Sequence, residues 1–295
     1  MNAQRHKKNE RVTKMKTISK MLILSLSISF CFSLFGCSTK KDDKVTINKI
    51  IYDFDKSDKY YYVDSVEDKN LTEAIIEDYI NGFPVQDIGA NVARDSRPFK
   101  NCKNLKSVFI PETVKYIGYE AFFNCESLTN ITIPDSVEII DSCAFYWCKN
   151  LTTISFPKNL KRIGSEAFYD CESLTEVNLH NGVTSIWRKA FMDCTSLQSI
   201  NLPDTITEIE RMAFWDCDSL TELKLPKSLK YISYYMAFSC DRLSKIYIPK
   251  SITRIDELAF SRGKIYYEGT ITDWEKISIH ESLHFNTDLI DFESY

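Results

Sequence analysis

Apolar positions recur along most of this chain with a constant step of 23 residues. Cysteines keep the step at Cys102, Cys125, Cys148, Cys171, Cys194, Cys217 and Cys240. Leucines keep it at Leu105, Leu128, Leu151, Leu174, Leu197, Leu220 and Leu243. Phenylalanines keep it at Phe99, Phe122, Phe145, Phe168, Phe191 and Phe214. Chance does not place several residue types in one register, so the pattern predicts a repeat architecture.

One repeat unit predicts two strands and a turn. Polar and apolar residues alternate over residues 130–133, as in a half-buried strand, and Pro134 ends that strand because it has no N–H to donate. Val137 and Ile140 follow and indicate a short second strand. The Ala-Phe-x-x-Cys segment at residues 144–148 favours a 3₁₀ or helical turn that closes the coil. We therefore predict a β-rich repeat solenoid whose coils stabilise one another, because no single repeat can bury its own apolar face.

Residues that recur at the step of 23 form columns along the predicted solenoid. These columns resemble the BspA-like leucine-rich repeats of bacterial surface proteins. The resemblance extends over residues 75–295 and includes the tail segment around Trp274. It implies a leucine-rich repeat solenoid of about eight coils over residues 71–265 and a C-terminal cap over residues 266–295. It also implies a non-catalytic module for adhesion to, or binding of, an extracellular protein or glycan.

The N-terminus has the features of an export signal. Residues 21–35 form an apolar run after a basic stretch, and 15 residues are few for a membrane-spanning helix but typical of a signal peptide. Residues 34–37, Leu-Phe-Gly-Cys, resemble the lipoprotein box of bacterial lipoproteins. This resemblance implies a signal peptide over residues 1–36 and lipidation of Cys37, which anchors the protein to a membrane outside the cytoplasm. An uncleaved anchor and a plain secretory signal are the alternatives.

The segment between the anchor and the repeats is polar and charged, with two apolar patches. We interpret residues 37–70 as the lipidated cysteine followed by a tether that leads into the folded part. Starting at Met15 instead of Met1 gives a signal peptide of more usual length, so both starts remain open.

Charge and composition narrow the function further. The chain has 37 Lys and Arg and 41 Asp and Glu, a net charge of -4. The first 37 residues carry seven basic side chains and one acidic one, so the remaining chain has a net charge of -10. This acidic remainder of the chain argues against nucleic acid as a partner, because nucleic acid binds clustered positive charge. With four histidines and eight glycines, we expect no enzyme, no cofactor and no metal site. We also expect a monomer, because the irregular first repeat and the tail resemble caps.

Ligand binding is predicted on the outward side of the main strands, where repeat proteins usually hold partners. The predicted ligand-binding residues are Phe109, Asn130, Thr132, Thr153, Ser155, Glu176, Asn178, Ser199, Asn201, Glu222, Lys224 and Tyr247. The alternative is a solvated face without a ligand, as in an architectural envelope protein.

Two further columns allow alternative interpretations. The cysteines form either disulfides between coils or a buried column of free thiols. We expect the buried column, because equivalent side chains of successive coils point in the same direction and not toward one another. An aromatic column follows the repeat phenylalanines, at Phe123, Tyr146, Tyr169, Met192 and Trp215, with Trp147 beside it. We expect these side chains to pack partly against the next coil, and they are the second candidate for a contact surface.

The tail contains one catalytic pattern. His280, Glu281 and His284 fit H-E-x-x-H, which on a helix places two imidazoles on one face to bind zinc, with the glutamate as base. A zinc-dependent hydrolase is therefore the alternative function. Against it, only eleven residues follow His284, and no helical domain is predicted around the motif.

Overall fold

The computed structural model describes residues 44–89, 95–281 and 290–292. They form a β-solenoid of about nine turns with little helix, which confirms the predicted fold class. The predicted signal peptide and Cys37 lie outside the described residues. Among the residues described, no helix has the length and apolar character needed to cross a membrane.

The first strand of each coil has an inward residue that is buried or half-buried, and in the three-residue strands it lies between two outward ones. These first strands are β4 (Glu73–Ile75), β7 (Ser107–Phe109), β9 (Asn130–Thr132), β11 (Thr153–Ser155), β13 (Glu176–Asn178), β15 (Ser199–Asn201), β17 (Glu222–Lys224), β19 (Lys245–Ile248), β21 (Lys264–Tyr267) and β23 (Ile290–Asp291). Paired first strands are parallel and in register, so that Thr153 lies opposite Asn130, one repeat earlier.

The second strand of each coil ends on an isoleucine, which is buried in all coils except at the half-buried Ile279. These second strands are β6 (Phe83–Ile88), β8 (Tyr116–Ile117), β10 (Ile139–Ile140), β12 (Arg162–Ile163), β14 (Ser185–Ile186), β16 (Glu208–Ile209), β18 (Tyr231–Ile232), β20 (Arg254–Ile255) and β22 (Ser278–Ile279). Those from β6 to β16 belong to the longest sheet, which has ten strands, and β18, β20 and β22 form a separate sheet of three. The first strands form separate sheets of two or four strands. The face made by the first strands is therefore interrupted between some coils.

The interior consists of the columns seen in the sequence. The column phenylalanines are fully buried and stack in parallel, with ring centroids 5.2 Å apart between Phe145 and Phe168 and again between Phe168 and Phe191. The column leucines and cysteines beside them are also buried. Complete burial of each phenylalanine contributes about 1.5–3 kcal/mol, so the stack is a main source of stability.

The turn that closes each coil is not a continuous helix. Single turns with i to i+3 hydrogen bonds follow one another, such as Ala144 N–H to Asp141 at 3.3 Å and Cys148 N–H to Phe145 at 3.2 Å. Each of these turns contains one residue with positive φ, Cys143 at 56° in the first and Trp147 at 61° in the second. The same two positions are left-handed in neighbouring coils, which reverses the chain direction within a few residues. The predicted helical turn is thus a series of short turns.

The first described strands correct the predicted tether. Within residues 37–70, three antiparallel strands form a meander, namely β1 (Val45–Ile47), β2 (Ile50–Asp55) and β3 (Tyr60–Val66). Strand β3 pairs with β6, so the meander extends the sheet of second strands. Tyr52 and Val63 are fully buried, because the two apolar patches of this segment cover the end of the core. The solenoid sheet begins at residue 45 and not at residue 71.

A five-residue insertion makes the first coil irregular. The hairpin of β5 (Tyr79–Ile80) and β6 occupies the place where later coils have a short connection. Its turn contains Asn81 and Gly82, both with positive φ, as a two-residue turn of type I′ requires. The hairpin leaves Tyr79 58% exposed and Phe83 38% exposed.

The C-terminal segment continues both sheets instead of only covering them. Strands β22 and β23 pair with β20 and β21, so the predicted cap at 266–295 contains a further coil. Helix α1 (Ile271–Trp274) begins at the N-cap Thr270, and Trp274 packs edge-on against Tyr267 at 5.1 Å. A side chain at Gly269 would lie 2.5 Å from the Tyr267 ring, so glycine is required there.

Candidate binding surfaces

The twelve predicted ligand-binding residues lie on one side of the first strands, which we call the strand face. Asn130 and Thr132 are exposed on either side of the buried Ile131, and the strands after β9 repeat the arrangement. Parallel pairing brings predicted residues of adjacent coils together, for example Asn178 opposite Asn201. Because the polar side chains among them are exposed, the strand face can make polar contacts with a partner.

The ends of the strand face differ from its middle. Phe109 is half-buried on β7, and Tyr247 stacks on Tyr266 with 4.9 Å between ring centroids. In the middle, the Asn178 amide donates to the Glu176 carboxylate at 2.7 Å. The middle therefore presents small polar groups, and the C-terminal end adds an aromatic pair.

One shallow groove borders the strand face, and sequence analysis did not predict it. It has a volume of about 440 Å³ and is lined partly by Asn201 and Lys224 from the strand face. His180 contributes its edge, at the position where other repeats have proline. Its location matches the interruption between β15 and β17, which do not pair. The sequence signal that marks the place is the break in the proline column at His180.

A second surface, which we call the turn face, carries the aromatic column. The rings of Phe123, Tyr146 and Tyr169 stack on one another, with centroid distances of 5.0 and 4.6 Å. As expected, these side chains are half-buried against the next coil. Trp147 lies beside them and is 38% exposed. The stack hides the ring faces and leaves mostly ring edges at the surface. Trp147 is the exception, because it lies beside the stack and is exposed.

The cysteine column consists of free thiols. All seven column cysteines are buried and unpaired by disulfides, as expected. From Cys125 to Cys240 each thiol donates to the carbonyl of the column phenylalanine one coil earlier; the Cys148 to Phe122 distance, for example, is 3.2 Å. Burial raises the pKa of Cys148 to about 12. Since the thiolate is the reactive form, these cysteines are inert side chains of the core.

The tail motif does not begin on a helix. His280 is exposed, and its backbone N–H donates to the Ile255 carbonyl at 3.0 Å, which continues the ladder of β22 with β20. Glu281 is exposed, and His284 lies outside the described residues. Within residues 44–89, 95–281 and 290–292, no three His, Cys, Asp or Glu side chains are grouped to hold a metal ion. The extended backbone at His280 does not provide the helical spacing that the zinc alternative needs.

Comparison with known proteins agrees with this architecture. The family model of the BspA type leucine-rich repeat region matches residues 94–188 and 161–283, in six copies. These matches span more than half of the sequence, and the chain belongs to the BspA-type leucine-rich repeat family. Comparison with curated proteins gave no match.

Two solved structures share the fold. A leucine-rich repeat protein from Bacteroides ovatus is 29% identical, with a TM-score of 0.59 over 85% of this chain and 71% of that chain. The T. pallidum leucine-rich repeat protein TpLRR is 24% identical, with a TM-score of 0.52 over 75% of this chain and 86% of that chain. The family and the fold are those of repeat proteins, which indicates a repeat-based binding module.

Proposed function

We propose that this protein is a lipoprotein of the bacterial cell surface and that its strand face binds an extracellular protein or glycan. The observation that carries the proposal is the alternation along the first strands. In these strands one inward residue holds the core and its neighbours point outward, and where two strands pair, their outward residues lie in register. Such a surface accepts different side chains without disturbing the fold, as a binding module requires.

Polar side chains in the middle of the strand face favour a ligand that offers hydrogen-bond donors and acceptors. Glu176 and Asn178 form one such pair, and the groove beside Asn201 and Lys224 adds a concave edge. Neither feature includes a nucleophile with a base or a group of metal ligands. We therefore propose binding without catalysis.

The test is a pull-down with the full-length protein in detergent against surface proteins and glycans of neighbouring cells. The double variant Glu176→Lys/Asn178→Lys places two bulky cations in the middle of the strand face and should abolish capture. The matched control is Thr272→Lys/Glu275→Lys, on helix α1 and at its C-cap, which makes the same change in charge at exposed positions elsewhere. Equal capture by both variants would locate binding outside the strand face. If no partner is captured and deletion damages the envelope, the protein is architectural.

Membrane attachment through Cys37 is a separate part of the proposal. A mature chain with lipid on Cys37 and without residues 1–36 has a defined mass, which mass spectrometry can test. The variant Cys37→Ser should move the protein from the membrane fraction to the soluble fraction, because the acyl chains hold it there. An unchanged distribution would indicate an uncleaved anchor.

We propose that the protein acts as a monomer. The meander β1–β3 closes the N-terminal end with a segment that lacks the 23-residue repeat, so the coils of a second molecule do not find a matching coil to continue there. Sedimentation of the detergent-solubilised protein, with the bound detergent accounted for, measures its mass. A dimer would contradict this proposal without affecting the strand-face proposal.

A further inference from the structure

Trp147 stands out in one column of the turn face. Seven residues at a step of 23 have a left-handed backbone, with φ between 54° and 61°, and we call them the left-handed column: Asn101, Asn124, Trp147, Asp170, Asp193, Asp216 and Ser239. Six of them are asparagine, aspartate or serine. Asparagine and aspartate tolerate this conformation because their short side chains bond locally, whereas a bulky side chain is disfavoured. Trp147, the one tryptophan of this column, therefore has a backbone conformation that its bulky side chain disfavours.

The backbone at Trp147 is imposed by the repeat. The Trp147 N–H donates to the Tyr169 carbonyl at 2.9 Å, and the Asn124 N–H makes the same bond to Tyr146 at 2.7 Å. The conformation is thus common to the column and was not created by the tryptophan. Backbone strain of this kind clusters at functional sites.

The indole is held firmly and is still accessible. It packs edge-on against Tyr146, with 5.1 Å between centroids and 63° between planes, and is tilted against Phe123 at 5.5 Å. These contacts hold the ring in place, and 38% of Trp147 remains exposed. A large aromatic side chain fixed in this way loses little conformational entropy when a ligand stacks on it.

The neighbours of Trp147 in the column are polar. On one side the Asn124 amide donates to the Asn101 side chain at 2.9 Å. On the other side the Asp170 carboxylate lies 3.1 Å from the Lys149 ammonium, which also contacts Glu172 at 2.5 Å. Amide, carboxylate and ammonium groups on both sides of an aromatic platform suit hydroxyl groups. An apolar hot spot of a protein partner favours a desolvated, uncharged surround instead.

We propose that Trp147 is the platform of a glycan-binding site on the turn face, with one sugar ring stacked on the indole and its hydroxyls bonded by Asn124 and Asp170. The C–H face of a sugar packs on an aromatic ring, and its hydroxyls take the polar groups around the ring. This site is separate from the strand face, so each of the two proposals can fail without the other.

The experiment probes the full-length protein in detergent with a microarray of mucin-type, N-linked, plant and bacterial oligosaccharides, followed by calorimetry with the tightest of them. Trp147→Asn restores the residue type of the column. It should lower the affinity roughly thirtyfold, the effect of losing an aromatic anchor, while the Tm stays the same or rises. Trp147→Phe keeps a ring and should retain most of the affinity. Asp216→Asn, three coils away in the same column, should change nothing.

Three results would overturn the proposal. One is a wild-type protein that binds no oligosaccharide of the array. Another is unchanged affinity in Trp147→Asn, above all if Glu176→Lys/Asn178→Lys loses the same oligosaccharide, which would assign the glycan to the strand face. The third is a loss of affinity that Trp147→Phe and Asp216→Asn share, because it would reflect the fold and not the platform.

Discussion

The strand face and the turn face lie on the same core and differ in how they can vary. On the strand face, outward residues such as Thr153 and Ser155 pack little against the interior, so their identity is free to follow a ligand. On the turn face, side chains such as Tyr146 are half-buried and stacked on the next coil, so one change affects two coils. Recognition can therefore change residue by residue on the strand face. On the turn face it requires an exception such as Trp147.

The largest effect on stability is expected from alkaline pH, which should weaken the turns and not the strand face. The thiols that donate to phenylalanine carbonyls support the turns, and burial raises the pKa of Cys148 and of Cys240 from 9.0 to about 12. Between these values the folded state binds more protons than the unfolded state. The free energy of unfolding should therefore fall as pH rises from 9 to 12, by about 1.4 kcal/mol per pH unit for each such thiol.

Urea unfolding at pH 7, 9, 10 and 11 measures this loss. Cys148→Val removes one thiol at similar volume, so its stability should depend less steeply on pH than that of the wild type. Identical slopes for the two proteins would mean that other groups, such as the buried tyrosines, carry the alkaline sensitivity. The thiols would then make no special contribution to the stability of the turn face.

Truncation of aromatic residues should destabilise the protein more in the core than on the turn face. Phe168→Ala should cost about 3–5 kcal/mol, because the ring is fully buried between Phe145 and Phe191 and a cavity remains. Phe123→Ala, on the half-buried stack, should cost clearly less. Chemical denaturation of both variants gives the two values. Equal losses would show that the turn-face stack belongs to the core and is not a surface for binding.

The sequence allowed prediction of the columns but not of the positions where the fold departs from them. Burial of Phe168 and exposure of Thr153 follow from a side-chain period that only a stacked coil satisfies. The meander β1–β3 has no repeat, so its strands had only short apolar patches to indicate them.

The turns and the thiol bonds were harder still to predict. One left-handed position is occupied by residues as different as Glu120, Cys143 and Leu258, because the neighbouring coil fixes the backbone there and the side chain does not. The bonds from the thiols to phenylalanine carbonyls depend on that same turn geometry, and they leave no signal beyond the cysteine column itself.

Relief of left-handed strain should have a smaller effect, of opposite sign. Met212 has a φ of 62°, whereas Met192 is also half-buried on the turn face but lies outside the left-handed positions. Met212→Gly should stabilise the protein by up to about 1 kcal/mol, because glycine adopts positive φ without steric cost. Met192→Gly should destabilise it by about 0.5–1 kcal/mol. Thermal unfolding of the pair measures both. A similar loss in both variants would show that side-chain packing outweighs backbone strain on this face.

The smallest effect is expected on the strand face, and it decides how the binding test is interpreted. Glu176→Lys/Asn178→Lys changes two exposed side chains beside the buried Val177, which keeps its place in the core. Each substitution should alter stability by no more than about 0.5 kcal/mol, because neither side chain packs in the interior. Urea unfolding of the double variant, next to Thr272→Lys/Glu275→Lys as control, measures this. If only the strand-face variant unfolds early, its outward residues hold the coils together. Loss of capture would then report on the fold, and the freedom to vary that distinguishes this face from the turn face would not exist.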